Sequence, residues 1–312
     1  MKTTKYSPVS LTSILALLLC LYTFGLSAED QVSPASIAGQ MAKHGVTESV
    51  GCVTPTICSL MGLPTTDVCE VEPLAKVMEI AQAKLDGKPV QRALIFCPDA
   101  IGKVQFEHWP DDFAPLVKEV DYLMTGTNVL PSVTPVCFST IFTGASPAAH
   151  GIQKYEKPTL TVETLFDVCA KAGLKAAIVA ENGCSIDLVF RKRPIWYFSA
   201  PKPADAFEMC KFILNNYDEF DLIVCYDGSY DTVMHGTGVW DERAHQAALD
   251  SISRYLELIQ LTDEVWKGYN RVVVFAPDHG SHDNKDGKGS HGSDSPEDSI
   301  VNHGWRLRAA QN

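Results

Sequence analysis

Four short, nearly all-apolar segments alternate with amphipathic segments over most of this 312-residue chain. The apolar segments cover residues 93–97, 175–180, 222–226 and 272–276, and the amphipathic segments cover residues 111–122, 162–172, 204–216 and 242–266. Strands without polar alternation are typical of parallel sheets that helices cover on both faces. The sequence therefore predicts an α/β fold, a three-layer sandwich with a mostly parallel central sheet.

The first 28 residues have the pattern of a secretory signal peptide. Lys2 and Lys5 precede an apolar run at residues 14–21, and small residues at 25–28 stand before the acidic pair Glu29-Asp30. The run is shorter than the roughly 20 apolar residues that a membrane span requires, and no later stretch approaches that length. We therefore expect cleavage near Ala28, a secreted or periplasmic protein, and no membrane span in the mature chain.

Two alternatives to cleavage near Ala28 stay open. A lipid anchor on Cys20 is one, although the large Leu19 stands where such sites carry a small residue, and an uncleaved anchor is the other. Beyond the leader, the pattern predicts an N-terminal helical segment, 29–90, packed on a main domain of residues 91–312.

The charge balance excludes one class of partner. Acidic residues number 38 and basic residues 26, which gives a formal charge of −12. Such a surface repels nucleic acid and anionic membranes, so we expect no nucleic-acid-binding surface.

Nine of the ten cysteines follow the leader, an odd number, and none has the spacing of a thiolate zinc site. Cys97 and Cys225 lie in apolar strands and are predicted to be buried as small hydrophobic residues. Cys52, Cys58 and Cys69 are the better candidates for disulfides, with the pairing left open.

Residues that commonly bind metals follow three of the predicted strands, at the point where each strand ends. Asp99 follows the first strand, and Asp278 and His279 follow the last. After the third strand, Asp231 and His235 stand four residues apart, so one helical turn would direct both at a single ion. Because chemistry in parallel sheets collects beyond the carboxyl ends of the strands, we expect these side chains to meet. Together they suffice for two cation sites.

Other residues compete for these roles. His282 and His291 lie in a long polar loop over residues 280–298, and His303 follows it. Asp227 rivals Asp231 but has no histidine four residues on. Loops of this length in compact domains are usually functional, so the loop is a candidate part of the site.

Residues 132–144 predict a helix with both ends marked. Thr134 would be its N-cap, Pro135 its first residue and Gly144 its C-terminal stop. Thr134 either caps the helix only, or it places a hydroxyl where free amides and the helix dipole favour a bound phosphate.

The order of these motifs resembles the alkaline phosphatase superfamily, and most closely its type I phosphodiesterase/nucleotide pyrophosphatase branch. Five separated blocks carry the resemblance in the expected order, between residues 98 and 292. The matching residues are Pro98-Asp99, Thr134 ten positions before Gly144, Ser146-Pro147-Ala148-Ala149-His150-Gly151-Ile152, Asp231 with His235, Pro277-Asp278-His279-Gly280 and Ser290-His291-Gly292.

The resemblance implies an alkaline phosphatase-like catalytic domain that hydrolyses small phosphoesters with two divalent metal ions. Thr134 would be the nucleophile and form a phospho-enzyme intermediate. Asp99, Thr134, Asp278 and His279 would hold one ion, and Asp231, His235 and His291 the other. Three imidazoles among the ligands favour Zn²⁺, with Mn²⁺ as an alternative. His150 is expected to order the loop after the nucleophile helix rather than to bind metal.

The chain departs from the family pattern at the position of Cys137, where nucleotide pyrophosphatases carry an Asn that contacts the phosphoryl oxygen. This departure weakens a nucleotide assignment and leaves phosphodiesterase and phosphatase activity both open. A sulfatase would need Cys or Ser in place of Thr134, followed by Pro and Arg, so that activity is disfavoured. A non-catalytic secreted metal-binding protein of the same fold is the alternative function. A phosphomutase is disfavoured by the leader.

Overall fold

The computed structural model describes residues 36–311, so the predicted signal peptide and its cleavage point lie outside the described residues. Seven strands form the central sheet in the order β2-β9-β6-β1-β5-β3-β4. The strands are β1 Arg92–Pro98, β2 Tyr122–Thr127, β3 Ala176–Glu181, β4 Trp196–Ala200, β5 Leu222–Asp227, β6 Arg271–Phe275 and β9 Ile300–Arg308, and a separate hairpin consists of β7 His282–Asp283 and β8 Gly289–Ser290. β9 pairs antiparallel with β2 and β6, and the pairs among β6, β1, β5, β3 and β4 are parallel. The predicted mostly parallel sheet is confirmed.

Thirteen α-helices lie within the described residues. They are α1 Ile37–His44, α2 Val53–Met61, α3 Ala75–Leu85, α4 Lys103–His108, α5 Pro110–Glu119, α6 Thr134–Thr143, α7 Pro147–His150, α8 Leu165–Lys171, α9 Ser185–Val189, α10 Pro203–Asn216, α11 Ser229–Thr237, α12 Glu242–Val265 and α13 Pro296–Ser299. The four helices expected from amphipathic segments correspond to α5, α8, α10 and α12, with ends shifted by up to three residues.

Two hydrophobic clusters cover the two faces of the sheet, which confirms the three-layer sandwich. In β1, Ala93, Ile95 and Cys97 pack in one cluster, while Leu94 and Phe96 pack in the other. The first cluster includes side chains of α1–α3, α6, α8 and α9, and the second includes side chains of α4, α5 and α10–α12. Because β1 is buried on both sides, its residues have no polar alternation.

The burial of the cysteines agrees with the sequence analysis, but their expected disulfide bonding does not. Cys97 and Cys225 are fully buried, as predicted. Cys52, Cys58 and Cys69 are free thiols, and no disulfide joins any cysteines within residues 36–311. In the same part of the chain, no helix is both long and apolar enough to cross a membrane.

Candidate active site

The carboxyl ends of three neighbouring parallel strands carry most of the candidate residues. Asp99 follows β1, Asp231 lies in the first turn of α11 after β5, and Asp278 follows β6. Since β1 lies between β5 and β6 in the sheet, the three loops that leave these ends are adjacent. The sheet thus brings together residues that are nearly two hundred positions apart.

Asp99, Asp278 and His279 form the first group of potential metal ligands. All three are buried, and one ligand atom from each lies within 4.8 Å of the others. His279 Nε2 is 3.4 Å from Asp99 Oδ1 and 3.3 Å from Asp278 Oδ2. This arrangement matches a single cation position.

Asp231, His235 and His291 form the second group, with the same spacing of ligand atoms. Asp231 Oδ1 is 3.1 Å from His235 Nε2 and 3.4 Å from His291 Nε2. The rings of His279 and His291 stack with centroids 4.1 Å apart, so the two groups are direct neighbours.

Each of the three imidazoles is oriented by a backbone carbonyl. The Nδ1 atoms of His279, His235 and His291 each lie 3.0 Å from a carbonyl oxygen, of Gly280, Gly289 and Ser132 respectively. A carbonyl only accepts, so each Nδ1 carries the donated proton, and this leaves every Nε2 directed into the site. Metal-binding histidines are held in the same way by their outer contacts.

Burial sets the pKa values of the first group. Burial, followed by repulsion from Asp231, raises the pKa of Asp99 to about 7. Burial and then Asp99 raise the pKa of Asp278 well above its usual range, and burial and then His291 lower the pKa of His279 well below its own. Charge on any of these three groups is therefore costly without a counter-ion.

The second group carries charge more readily. Burial opposes the ionisation of Asp231, but the contacts with His235 and His291, whose Nε2 atoms donate to Asp231 when the imidazoles are protonated, outweigh burial and hold the pKa of Asp231 well below its usual range. The hydrogen bond with Asp231 raises the pKa of His235, against burial. Burial opposes the charged form of His291, yet its contact with Asp231 raises its pKa as well.

Buried oxygen atoms at the centre of the site test whether these residues fit metal ions. Asp99 Oδ1, Asp231 Oδ1 and Asp278 Oδ2 have no hydrogen-bond partner among the described residues. When the imidazoles are neutral, these oxygens face unprotonated Nε2 atoms, and His235 Nε2 also lies 3.2 Å from His291 Nε2. Lone pairs that converge in a buried site are unfavourable by themselves, whereas a cation between them satisfies all of them. The residues therefore fit two divalent cations.

Thr134 is buried beside the first group. Its Oγ1 lies 3.4 Å from both Asp99 Oδ2 and His279 Nε2. Within residues 36–311, no other Ser or Thr hydroxyl hydrogen-bonds to either of these residues. Thr134 is the first residue of α6, and the N-cap is Val133, with extended backbone at φ −133° and ψ 146°. The prediction that Thr134 is the N-cap is therefore wrong by one residue, and its hydroxyl caps no amide. Gly144 ends the helix as predicted, with φ +73°.

Tyr226 is a site residue that the sequence analysis missed. It is buried at the end of β5, and its hydroxyl donates a hydrogen bond to Asp99 Oδ2. Burial, and then the adjacent Asp99, raise the pKa of Tyr226 well above its usual value, so it stays a donor. A tyrosine in an apolar strand gives no sequence signal for this role.

The residues that competed for the ligand positions make contacts outside the two ligand groups. Both carboxylate oxygens of Asp227 accept from Arg254 Nη1 at 2.8 Å, so Asp227 belongs to a buried ion pair. His282 Nδ1 is 2.7 Å from Asp298 Oδ1, and His303 donates to the carbonyl of Pro277.

His150 Nε2 lies 3.1 Å from Thr140 Oγ1, and Ile152 N donates to its Nδ1 at 3.2 Å. The imidazole thus connects α6 to the loop after α7, and it is not a member of either ligand group.

Comparison with known families gives one match. The model of the family described as type I phosphodiesterase / nucleotide pyrophosphatase covers residues 111–308, more than half of the chain. Asp99 lies before the matched range and the other six candidate residues lie within it. No curated protein matches the chain by sequence.

Solved structures resemble the fold at low sequence identity. Phosphonoacetate hydrolase from Sinorhizobium meliloti shares 18% identity at a TM-score of 0.48, over 63% of this chain and 59% of that one. Murine ectonucleotide pyrophosphatase/phosphodiesterase 5 shares 16% at a TM-score of 0.51, again over 63% and 59%. The C-terminal periplasmic domain of EcEptC from Escherichia coli shares 11% at 0.52, over 78% and 77%. The chain thus spans about three fifths of the first two proteins, and the likeness to the last two structures concerns the fold.

Proposed function

The chain belongs to the type I phosphodiesterase/nucleotide pyrophosphatase family of the alkaline phosphatase superfamily, and on this premise we propose that it is a secreted or periplasmic phosphoester hydrolase. Thr134 is its nucleophile, residues 91–312 are its catalytic domain, and residues 29–90 are an N-terminal segment that precedes this domain. The observation that carries the proposal is the contact of the Thr134 hydroxyl with Asp99 and His279 at 3.4 Å. Export rests on the leader pattern of residues 1–28.

Two cations complete the proposed site. Asp99, Asp278 and His279 would hold one of them beside Thr134, and Asp231, His235 and His291 would hold the other. When bound, they supply positive charge that lowers the pKa of the nucleophile's hydroxyl and offsets the negative charge of the phosphoryl group. Three imidazoles among six side chains favour Zn²⁺, with Mn²⁺ as the alternative.

The chain's own residues then account for the covalent steps. The Thr134 hydroxyl gives up its proton, and its oxygen forms a bond to phosphorus while the bond from phosphorus to the leaving oxygen breaks, so that the leaving group takes up a proton and departs as an alcohol. A water molecule next attacks the phosphothreonine, which releases the phosphate product and restores the hydroxyl. The N-terminus of α6 directs its dipole towards this point and favours the negatively charged phosphoryl group. Tyr226 holds Asp99 in place by donating to Oδ2.

The substrate class is a small phosphoester. The formal net charge of −12 disfavours nucleic acid. Cys137 is buried with its Sγ towards the carbonyl of Val129, so it offers no amide to a phosphoryl oxygen. Assays with bis-p-nitrophenyl phosphate and p-nitrophenyl phosphate, run in parallel with zinc present, separate diesterase from monoesterase activity.

The variant Thr134→Ala tests the nucleophile. We expect hydrolysis to fall at least 1,000-fold, because removal of a covalent nucleophile leaves only binding and charge stabilisation. Bound zinc is expected to stay near the wild-type amount, and the melting temperature to change little, because the hydroxyl caps no backbone amide.

Ser139→Ala is the matched control, since this buried hydroxyl in the same helix donates only to the carbonyl of Pro135. It should retain most of the activity. A folded Thr134→Ala protein with bound zinc and full activity would remove Thr134 from the mechanism. A wild-type protein that binds zinc but hydrolyses neither substrate would favour the non-catalytic alternative.

A further inference from the structure

A buried polar cluster lies next to the two ligand groups and is not part of either. Gln105 Nε2 donates to the hydroxyl of Tyr230 at 3.0 Å and to Ser281 Oγ at 3.3 Å. Ser281 Oγ in turn donates to the carbonyl of Ala100 at 3.2 Å. Gln105, Tyr230 and Ser281 are fully buried. We name these three residues the polar hub.

The hub connects the three segments that carry the aspartates of the site, which are two loops and the first turn of α11. Ala100 follows Asp99, Tyr230 precedes Asp231, and Ser281 lies three residues after Asp278. The fourth element is α4, which supplies Gln105. The three segments follow three different strands. The hub therefore fixes their relative positions through hydrogen bonds between residues that are far apart in sequence.

The backbone at the hub is constrained on two sides. Ala100 has φ +65°, which is costly for a residue with a side chain, and its amide donates to Asp278 Oδ1 at 3.3 Å while its carbonyl accepts from Ser281. Gly102 and Gly280 also touch, since a Cβ at Gly102 would lie 2.7 Å from the Cα of Gly280. Such strain persists only where surrounding contacts hold the chain in one position.

We propose that Gln105, Tyr230 and Ser281 are positioning residues that set the distance between the two cation groups. The inference rests on the proposed two-cation site. Without the hub, the loop of Asp99 and the helix of Asp231 lose their common anchor, so the ligand groups no longer present their atoms at one fixed spacing. Loss of outer contacts of this kind weakens metal binding by roughly 10- to 100-fold in other metal sites.

The variant Tyr230→Phe tests the proposal by removing a single hydroxyl. Tyr255→Phe is the matched control, because Tyr255 is also fully buried and its hydroxyl donates one hydrogen bond within the described residues, 3.5 Å to the carbonyl of Val273. For each protein, zinc affinity is measured with a competing chelator, and the melting temperature is measured with zinc and after chelation.

We expect Tyr230→Phe to weaken zinc binding roughly 10-fold or more, and to reduce the rise in melting temperature that zinc produces. Tyr255→Phe should lower both melting temperatures equally and leave zinc affinity unchanged. Ser281→Ala gives the same expectation as Tyr230→Phe and replaces it if that variant does not fold. Unchanged zinc affinity in folded hub variants would overturn the proposal. A wild-type protein without any zinc-dependent stabilisation would instead contradict the two-cation site itself.

Discussion

His150 and His291 show how their neighbours decide the charge of two buried imidazoles. His291 contacts the carboxylate of Asp231, which raises its pKa against the effect of burial. The imidazole of His150 hydrogen-bonds only to the Thr140 hydroxyl and the Ile152 amide among the described residues, and burial lowers its pKa to about 4. The same residue type is therefore kept neutral in one place and charged more readily in the other.

A pH dependence of stability follows from His150. Its folded pKa, about 4, lies below the unfolded value of 6.5, so the unfolded chain binds the proton more tightly. The stabilisation is complete above pH 6.5 and is lost as the pH falls towards 4, amounting to about 2 kcal/mol between pH 7 and pH 5.

Urea unfolding at pH 7 and pH 5 measures the combined effect of all titrating groups, and the difference between the wild-type protein and His150→Gln gives the part that belongs to His150, about 2 kcal/mol. Burial also lowers the pKa of His303 to about 4, so the free energy of unfolding of the variant should still depend on pH, but less strongly. If the free energy of unfolding changes equally between pH 7 and pH 5 in the wild-type protein and in His150→Gln, His150 is not the cause of this pH dependence.

The glycine that ends α6 has both a conformational and a packing requirement, as a comparison with the glycine that ends α2 shows. Gly144 and Gly62 both end helices with left-handed backbone, at φ +73° and +71°. A Cβ at Gly144 would lie 2.5 Å from Cys69 Sγ, whereas a Cβ at Gly62 would have nothing within 4 Å. The two glycines thus share one conformational requirement and differ in a packing requirement.

Substitution by alanine separates the two requirements. Gly62→Ala should cost about 1 kcal/mol, since left-handed backbone disfavours a side chain. Gly144→Ala should cost about 1 to 3 kcal/mol more, because the added methyl group overlaps Cys69. Chemical denaturation of both variants gives the difference. Equal losses would mean that the segment around Cys69 moves away at no cost.

At the scale of the whole molecule, the fold places three aspartates at one edge of the sheet, and two of them, Asp99 and Asp278, are fully buried. Asp99, Asp231 and Asp278 come from three strands, and their mutual repulsion opposes folding when no cation is present. Hydrophobic packing on both faces of the sheet stabilises the chain against this repulsion. The metal ions of the proposed function would therefore add to global stability as well as to chemistry.

Metal removal tests this coupling. Elemental analysis should find zinc, and chelation should lower the melting temperature by several degrees, with recovery on addition of zinc. At a free concentration about 1,000 times Kd, each ion contributes about 4 kcal/mol to the free energy of unfolding. Magnesium as the only bound metal, with stability and activity insensitive to zinc chelators, would contradict the zinc assignment.

Much of the fold was predictable from local patterns. The four strands β1, β3, β5 and β6 are apolar except for one charged residue at an end, because both faces of the sheet are covered, and this property is visible in a short window of sequence. β4 and β9 lack this continuous apolar pattern, and the sequence analysis did not predict them. β4 is a half-exposed edge strand, and β9 carries polar residues such as Asn302 and Arg306 that find partners only in the folded chain.

The sequence by itself determined the residue types of the site and their order at the ends of strands, because these depend on neighbours within a few positions. Only the tertiary structure decided which of the competing groups meet. It places His291 beside Asp231, joins Asp227 to Arg254, leaves Cys69 a free thiol and gathers Gln105, Tyr230 and Ser281 into one hub. These contacts join residues far apart in sequence, and their distances are set by how helices and loops pack on the sheet, which no local pattern encodes.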